Sequence, residues 1–182
     1  MSRRPHLTSN VRPCTPSFAV APTLIFGYVP GSIGRVAELH AVYYRAAVGF
    51  GLPFEAKVAR ELSAFCERFD AERDGMWLVV NEGRVEGSVI LDGSHAQTEG
   101  AHLRWFITSA AIRGRGFGQR LLSEALAFAD NHAYKRTYLW TFEGLLAARH
   151  LYEKHGFRLA KSAVGSQWGM PVNEQLFVRR EV

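Results

Sequence analysis

The chain has few of the features that staple or anchor a protein. Its 182 residues include two cysteines, Cys14 and Cys66, neither in a Cys-x-x-Cys pair nor in a Cys/His cluster. That excludes a disulfide framework and leaves a structural zinc site without ligands, so no metal is expected and a reducing, cytoplasmic setting is the natural one. No apolar run reaches the roughly 18 to 20 residues that span a bilayer, and Phe18-Ala-Val-Ala is too short for a secretory signal. No membrane partner is expected. Acid is missing from the first 22 residues, where Arg3, Arg4 and Arg12 hold three of the five net positive charges and leave +2 for the rest. A body so close to neutral lacks the basic stripe of a nucleic-acid-binding face, and no nucleic acid is expected either. Beyond residue 22 proline is scarce: four of the seven, Pro5, Pro13, Pro16 and Pro22, fall in that first stretch. With no apolar periodicity, residues 1–22 read as a disordered N-terminal tail.

What is present is a chain 47% apolar and 21% charged, long enough for one well-packed domain, which we place at residues 23–182. Thr23 to Val29 reads as a strand, Pro30-Gly31 as a turn, and Ser32 as the N-cap of a helix carrying Ile33, Val36, Leu39, His40, Tyr43 and Tyr44. After the Gly49 to Pro53 break, Phe54, Val58, Leu62, Phe65 and Phe69 recur at helical spacing. Met76 to Val80 and Val85 to Leu91 flank Asn81-Glu-Gly-Arg84, a hairpin signature. A polar loop then leads to a strand over Ala101 to Thr108, a helix from Gly116 to about His132, a strand over Arg136 to Phe142 and a helix over Leu145 to His155 closed by Gly156. Phe157 to Lys161 and Gln175 to Arg179 are the final strands. The order β-α-α-β-β-β-α-β-α-β-β predicts a mixed α/β domain, with antiparallel pairing in its hairpin region and parallel pairing across its strand-helix-strand units.

The chemistry-bearing signal is Arg113-Gly-Arg-Gly-Phe-Gly118, between a strand and a helix. Amides opening a helix have no intrahelical acceptor and sit at the positive end of its dipole, so a bare turn there suits a pyrophosphate. Gly114, Gly116 and Gly118 remove the side chains that would stand between amide and oxygen. The dinucleotide fingerprint G-x-G-x-x-G does not match, because the third glycine comes one residue early. The P-loop does not match either, since the chain contains no Gly-Lys pair. A purely structural turn with solvated arginines stays open on this stretch alone.

Arg113-x-x-Gly116-x-Gly118 resembles the acetyl-CoA-binding signature of the GNAT superfamily of N-acetyltransferases, and Ala148-Arg-His-Leu-Tyr152-Glu-Lys-His-Gly156-Phe157 is similar to that family's A-x-x-x-Y-x-x-x-G-F. The order of elements from Thr23 onward also matches the family's fold. More narrowly, "LRWFIT" and "LWTFEGLLAARHLYEKHGFRL" resemble acetyltransferase domains attached to MarR-type regulators, although the leading 22 residues are too few for a helix-turn-helix. The resemblance implies acetyl-CoA as co-substrate, lying in a gap between the strands Ala101–Thr108 and Arg136–Phe142. Main-chain groups of Ile107 and Thr108 would pair with pantetheine. Amides of Arg113, Gly114, Arg115, Gly116, Phe117, Gly118 and Gln119 would hold the pyrophosphate, helped by the charges of Arg113, Arg115 and Arg120, and Ala148 and Tyr152 would line the cofactor from the helix.

It further implies direct attack of a primary amine, from a small molecule or amino acid, on the thioester in a ternary complex. Tyr152 would be the acid that protonates the departing thiolate. The family's usual base position falls on Arg104, which stays charged and cannot take a proton. Glu143 at the mouth of the following strand is the substitute we choose, with His102 and a water chain as the others. Arg104 is then free to grip an acceptor carboxylate, or simply to pair with a local Glu. The family's Asn seven residues before the Tyr is Leu145 here. Tyr43, Tyr44, Phe50 and Phe54 cluster at the break between the first helices, and Tyr43 and Tyr44 are expected to touch the acceptor. A catalytically weak acyl-CoA-binding sensor is the alternative that the missing Glu and Asn suggest, and a homodimer is left open.

Overall fold

The computed structural model describes residues 21–180; the expectation of a disordered tail lies, apart from its last two residues, outside the described residues. The elements follow the order read from the sequence: β1 (Thr23–Phe26), α1 (Ser32–Val48), α2 (Leu52–Glu67), β2 (Gly75–Asn81), β3 (Arg84–Asp92), β4 (Ala101–Thr108), α3 (Phe117–Asn131), β5 (Arg136–Phe142), α4 (Leu146–Lys154), β6 (Arg158–Gly165) and β7 (Val172–Arg180). The seven strands form one sheet in the order β1-β2-β3-β4-β5-β7-β6.

Local chemistry sets most boundaries, and several differ from the pattern-based ones. β1 stops at Phe26 because Gly27 turns to φ 92°. The N-cap of α1 is Gly31, left-handed at φ 84°, and not Ser32; Ser32 is the first helical residue, buried with its hydroxyl unpaired. Glycine takes that conformation without the penalty a Cβ brings. α2 ends at Glu67, so Phe69 lies past it, although its ring still packs edge-on to Phe65 with centroids 5.8 Å apart. The β2–β3 turn places Glu82 and Gly83 at φ 50° and 76°, as a two-residue hairpin turn of this twist requires. β6 and β7 run several residues beyond the apolar patterns that signalled them, since β6 is almost wholly exposed and shows no buried face to read.

The sheet is covered on both sides. One core gathers Leu121, Leu122, Ala125 and Ala129 of α3 with Tyr152 and Phe157 against Val89, Leu91, Leu103 and Leu139. The other packs Val36 of α1 and Phe54, Val58, Leu62 and Phe65 of α2 against Leu78, Ile90 and Trp105.

Two features of β4 shape everything that follows. First, Ser88 of β3 faces Ile107 and Ile90 faces Arg104, so one residue of β3 spans two of β4, a bulge at which Trp105 adopts φ 45°. The Ser88 hydroxyl donates to the Trp105 carbonyl at 2.6 Å and holds it. The bulge switches the strand's facing: Leu103 points to the α3 side, whereas Trp105 points to the α1–α2 side. Second, β4 pairs with parallel β5 only at Ala101↔Thr137 and His102↔Tyr138. From there the strands part.

At the closed end of that fork Gly100 lies at φ 105°, and a Cβ there would come within 2.7 Å of the Arg136 carbonyl oxygen. Gly100→Val should therefore cost about 2 kcal/mol or more through strain and backbone collision, read as a lowered urea midpoint. An unchanged midpoint would show that the fork is not pinned there.

Candidate active site

The site lies where the fork opens. After Thr108 the chain tightens: the Ser109 carbonyl accepts the Ile112 and Arg113 amides at 3.3 and 3.1 Å, and the chain then enters α3. Gly114 and Gly116 sit at φ 75° and 80°, and a Cβ on either would meet nothing within 4 Å. Conformation, not crowding, selects glycine at both. Among the described residues the amides of Gly116, Phe117, Gly118 and Gln119 have no backbone acceptor; Arg120 is the first bonded back, to Gly116 O at 3.1 Å. Four amides at the positive end of a 15-residue helix make an anion site. The side chains beside them are partly engaged. Arg113 Nη2 donates to the Thr108 carbonyl at 2.9 Å with its guanidinium over Tyr43, Arg115 and Arg120 lie over the Phe117 ring at 6.0 and 5.2 Å, and Lys154 donates to Gln119 Oε1 at 3.1 Å.

From this turn a groove of about 440 Å³ runs between β4 and α4, lined by Ile107, Thr108, Gly118, Ala148, Leu151 and Tyr152 among others. Along it the edge of β4 that faced β5 has no strand beside it beyond His102. Unpaired strand edges are templates for an extended, hydrogen-bonding guest. A Cβ on Gly118 would touch Phe106 at 3.6 Å, an ordinary contact, so this glycine mainly keeps the groove wide.

A second cavity of about 450 Å³ opens on the α1–α2 side, and Tyr44, Phe106 and Tyr152 line both. Tyr152 is thus the partition between them. Its ring is buried against Phe106, Phe157 and Phe177. Burial, helped by the neighbouring Tyr44, pushes its phenol well above the ordinary range, and burial does the same to Tyr44. Both hydroxyls are neutral donors at any physiological pH.

The second cavity has one charged wall and one aromatic wall. On the charged wall Arg104 Nη2 donates to Glu61 Oε2, Lys57 donates to Glu61 Oε1, and the Arg104 guanidinium lies 4.0 Å from the Trp105 ring centroid. Burial raises the Glu61 carboxyl, but the Lys57 hydrogen bond and the Arg104 charge outweigh it and hold the group below its usual range. His102 stacks on Tyr138 at 4.4 Å, and burial followed by the Arg104 charge brings it down to about 3. His40 donates through Nδ1 to the Val36 carbonyl at 2.8 Å, and burial brings it down to about 4. On the aromatic wall, Tyr44 meets Phe54 and Phe142 edge-on at 5.3 and 5.6 Å, and Phe142 meets Trp168 at 5.4 Å.

Most residues singled out from the sequence converge here, with exceptions. Arg104 lines the cavity and pairs with a local Glu, Glu61, as the second of its two readings has it. Tyr44 lines both cavities, whereas Tyr43 borders only the groove. Phe50 is buried behind the aromatic wall. Glu143 is not brought in: its carboxylate is exposed and accepts from Asn173 Nδ2 at 3.0 Å on the β7 side, because β5 ends at Phe142 and the chain turns outward at Gly144. Gln167, Trp168, Lys57, Glu61 and His40 escaped the sequence reading. Lys57 and Glu61 are one helical turn apart, a signal that reads equally as a solvated pair, and Trp168 reaches the cavity only because the β6–β7 hairpin folds back onto Pro53.

The family model for the acetyltransferase (GNAT) family matches residues 35–157. Human N-acetylaspartate synthetase is 27% identical over 137 residues, covering 70% of this chain and 45% of that protein, so the chain spans less than half its relative's length. Among solved structures, a GNAT-family acetyltransferase from Staphylococcus aureus Mu50 superposes with a TM-score of 0.71 at 16% identity, over 88% of this chain and 99% of that one. An acetyltransferase-fold protein from Salmonella typhimurium, solved with its cofactor acetyl-CoA, gives 0.64 at 16% identity, over 88% and 94%. Among the described residues no helix is long and apolar enough to cross a membrane.

The buried His40 makes stability depend on pH. The unfolded chain takes a proton near pH 6.5, whereas the folded imidazole takes it only near 4, so acid favours unfolding across that window and the stability present above pH 6.5 is lost as pH falls toward 4. The contribution is on the order of 3 kcal/mol. Urea titrations from pH 7 to 4 should show the loss, and His40→Gln should reduce its slope while leaving the part that the buried His102 contributes over the same window; an unaltered slope would exclude His40 as a source.

Proposed function

This chain belongs to the acetyltransferase (GNAT) family, and on that premise we propose that it transfers the acetyl group of acetyl-CoA to a primary amine of a small molecule or amino acid by direct attack in a ternary complex. The observation that carries this reading is the junction of the two cavities at Tyr152. The groove supplies what an extended donor needs: the unpaired β4 edge at Ile107 and Thr108 for a pantetheine arm, and the free amides of Gly116 to Gln119 for a pyrophosphate. Both cofactor elements therefore fit residues present in the chain.

In the proposed reaction the neutral amine forms its N–C bond to the thioester carbonyl, and the C–S bond breaks. Tyr152, kept neutral by burial, donates a hydrogen bond to the departing thiolate and keeps its own proton, because its proton affinity exceeds that of the sulfur; the thiolate takes its proton from solvent after release. Unpaired N–H groups on the β4 edge are placed to stabilise the oxyanion. The amine proton leaves through water in the second cavity, past the neutral His102 imidazole. Glu143 takes no part in this version because its carboxylate lies outside the cavity, and Glu61 takes none because its two cations hold it ionised and engaged. The departure of Arg104 from the usual base position thus moves the amine's deprotonation to solvent.

Acetyl-CoA should raise the melting temperature in a concentration-dependent way. Tyr152→Phe should lower turnover by about 10²-fold or more while leaving acetyl-CoA affinity within a few-fold, measured by free-thiol release and calorimetry. Equal loss of both would make Tyr152 structural, and tight binding without turnover on any amine would make the chain an acyl-CoA sensor.

A further inference from the structure

Resting on the acetyl-transfer reading, we infer that the acceptor is an α-amino acid with an aromatic or similarly bulky apolar side chain, its carboxylate on Arg104 and Lys57 and its side chain against the wall of Tyr44, Phe54, Phe142 and Trp168.

The charge balance of the second cavity points to an anion. Among the described residues Glu61 is the one acid lining it, and two cations, Lys57 and Arg104, converge on that single carboxylate. The wall is left with one positive charge in excess. Arg104 has donors to spare: Nη2 serves Glu61, while Nε and Nη1 have no hydrogen-bond acceptor among the described residues. Its other acidic neighbour, Asp92, stands 4.0 Å from Nη1 and is already held by Arg68 at 2.5 Å and Ser94 Oγ at 2.7 Å. The guanidinium is also fixed in plane, between the Trp105 ring and Glu61. A fork immobilised before binding loses little entropy when it grips a carboxylate. Glu61 is in this account a positioning residue, which orients Arg104 without touching the reacting atoms.

Arg104 and Phe106 both line the second cavity, and Phe106 also borders the Tyr152 junction where the amine must arrive. An acceptor that carries its amine and its carboxylate close together, as an α-amino acid does, can meet both. The remaining substituent then faces the aromatic wall, and the two cations among the described lining residues, Lys57 and Arg104, are already taken up by Glu61 and the α-carboxylate. A second carboxylate, as in aspartate, would be buried there unpaired, which is costly. An apolar ring gains contact instead. Specificity thus departs from the substrate that the human relative's name carries.

The test uses the whole chain with acetyl-CoA and five acceptors: L-phenylalanine, L-alanine, phenethylamine, L-aspartate and spermidine. Acetyl transfer is read as free CoA, and binding is read by calorimetry with CoA present. Phenylalanine should exceed phenethylamine by about 10²-fold in kcat/KM, mostly through KM, and should exceed aspartate by at least as much. Arg104→Gln should collapse the phenylalanine-to-phenethylamine ratio toward one, with Arg104→Lys restoring part of it, and Trp168→Ala should weaken phenylalanine selectively over alanine. Transfer to phenethylamine or spermidine as good as to phenylalanine, or a preference for aspartate, would overturn the inference and leave acetyl transfer standing. Carboxylate-dependent binding of phenylalanine without transfer to any acceptor would uphold the subsite and overturn the transfer reading. Neither binding nor transfer of phenylalanine would overturn this inference whatever the state of the other.

Discussion

The parting of β4 from β5 is the constraint on which the rest of the molecule depends. Two parallel strands that pair at only two positions leave a line of backbone donors and acceptors exposed along one edge of β4, and such groups are costly to leave unmet inside a protein. The split is sustained from both sides. The bulge at Trp105 turns β4 through an extra residue against β3, while Tyr152 and Leu139 pack with α3 beneath the fork. The groove beside α4 runs along this exposed edge, so the groove and the break in the sheet are one feature.

The same bulge assigns the two sides of the site their chemistry. By reversing the facing of β4 it sends Arg104 and Trp105 together to the α1–α2 side, where guanidinium and indole stack, and leaves Phe106 for the groove side. Charge is therefore gathered at one end of the second cavity, on Arg104, Glu61 and Lys57. The junction itself is lined by neutral phenols and, nearby, neutral imidazoles. Tyr152 therefore keeps a neutral hydroxyl at the junction, apart from the charged wall of the second cavity.

Much of this was legible beforehand. β4 and β5 were bounded to the residue, because each is a short apolar run between turn-forming segments, and the α3 entry was marked by glycines that only a left-handed turn demands. Family membership followed from the two spaced motifs, which encode local geometry: an amide-lined turn, and a tyrosine one helical turn before a closing glycine. The boundaries that slipped were those without a local marker, such as the exposed length of β6. Glu143 was plausible by position along the strand, yet the Gly144 turn carries its carboxylate toward Asn173.

What the sequence by itself determined, then, is the set of elements and the glycine turn and Tyr152 helix that border the groove, since these are built from short contiguous segments whose φ/ψ and periodicity are written residue by residue. The second cavity was decided only by tertiary structure. Lys57 and Glu61 come from α2, Arg104 from β4, Phe142 from β5 and Trp168 from the β6–β7 turn, and no spacing along the chain relates them. Their meeting depends on how far β4 and β5 splay and on the bulge that keeps Trp105 beside Arg104 on the α1–α2 side, quantities set by long-range packing and by no local pattern.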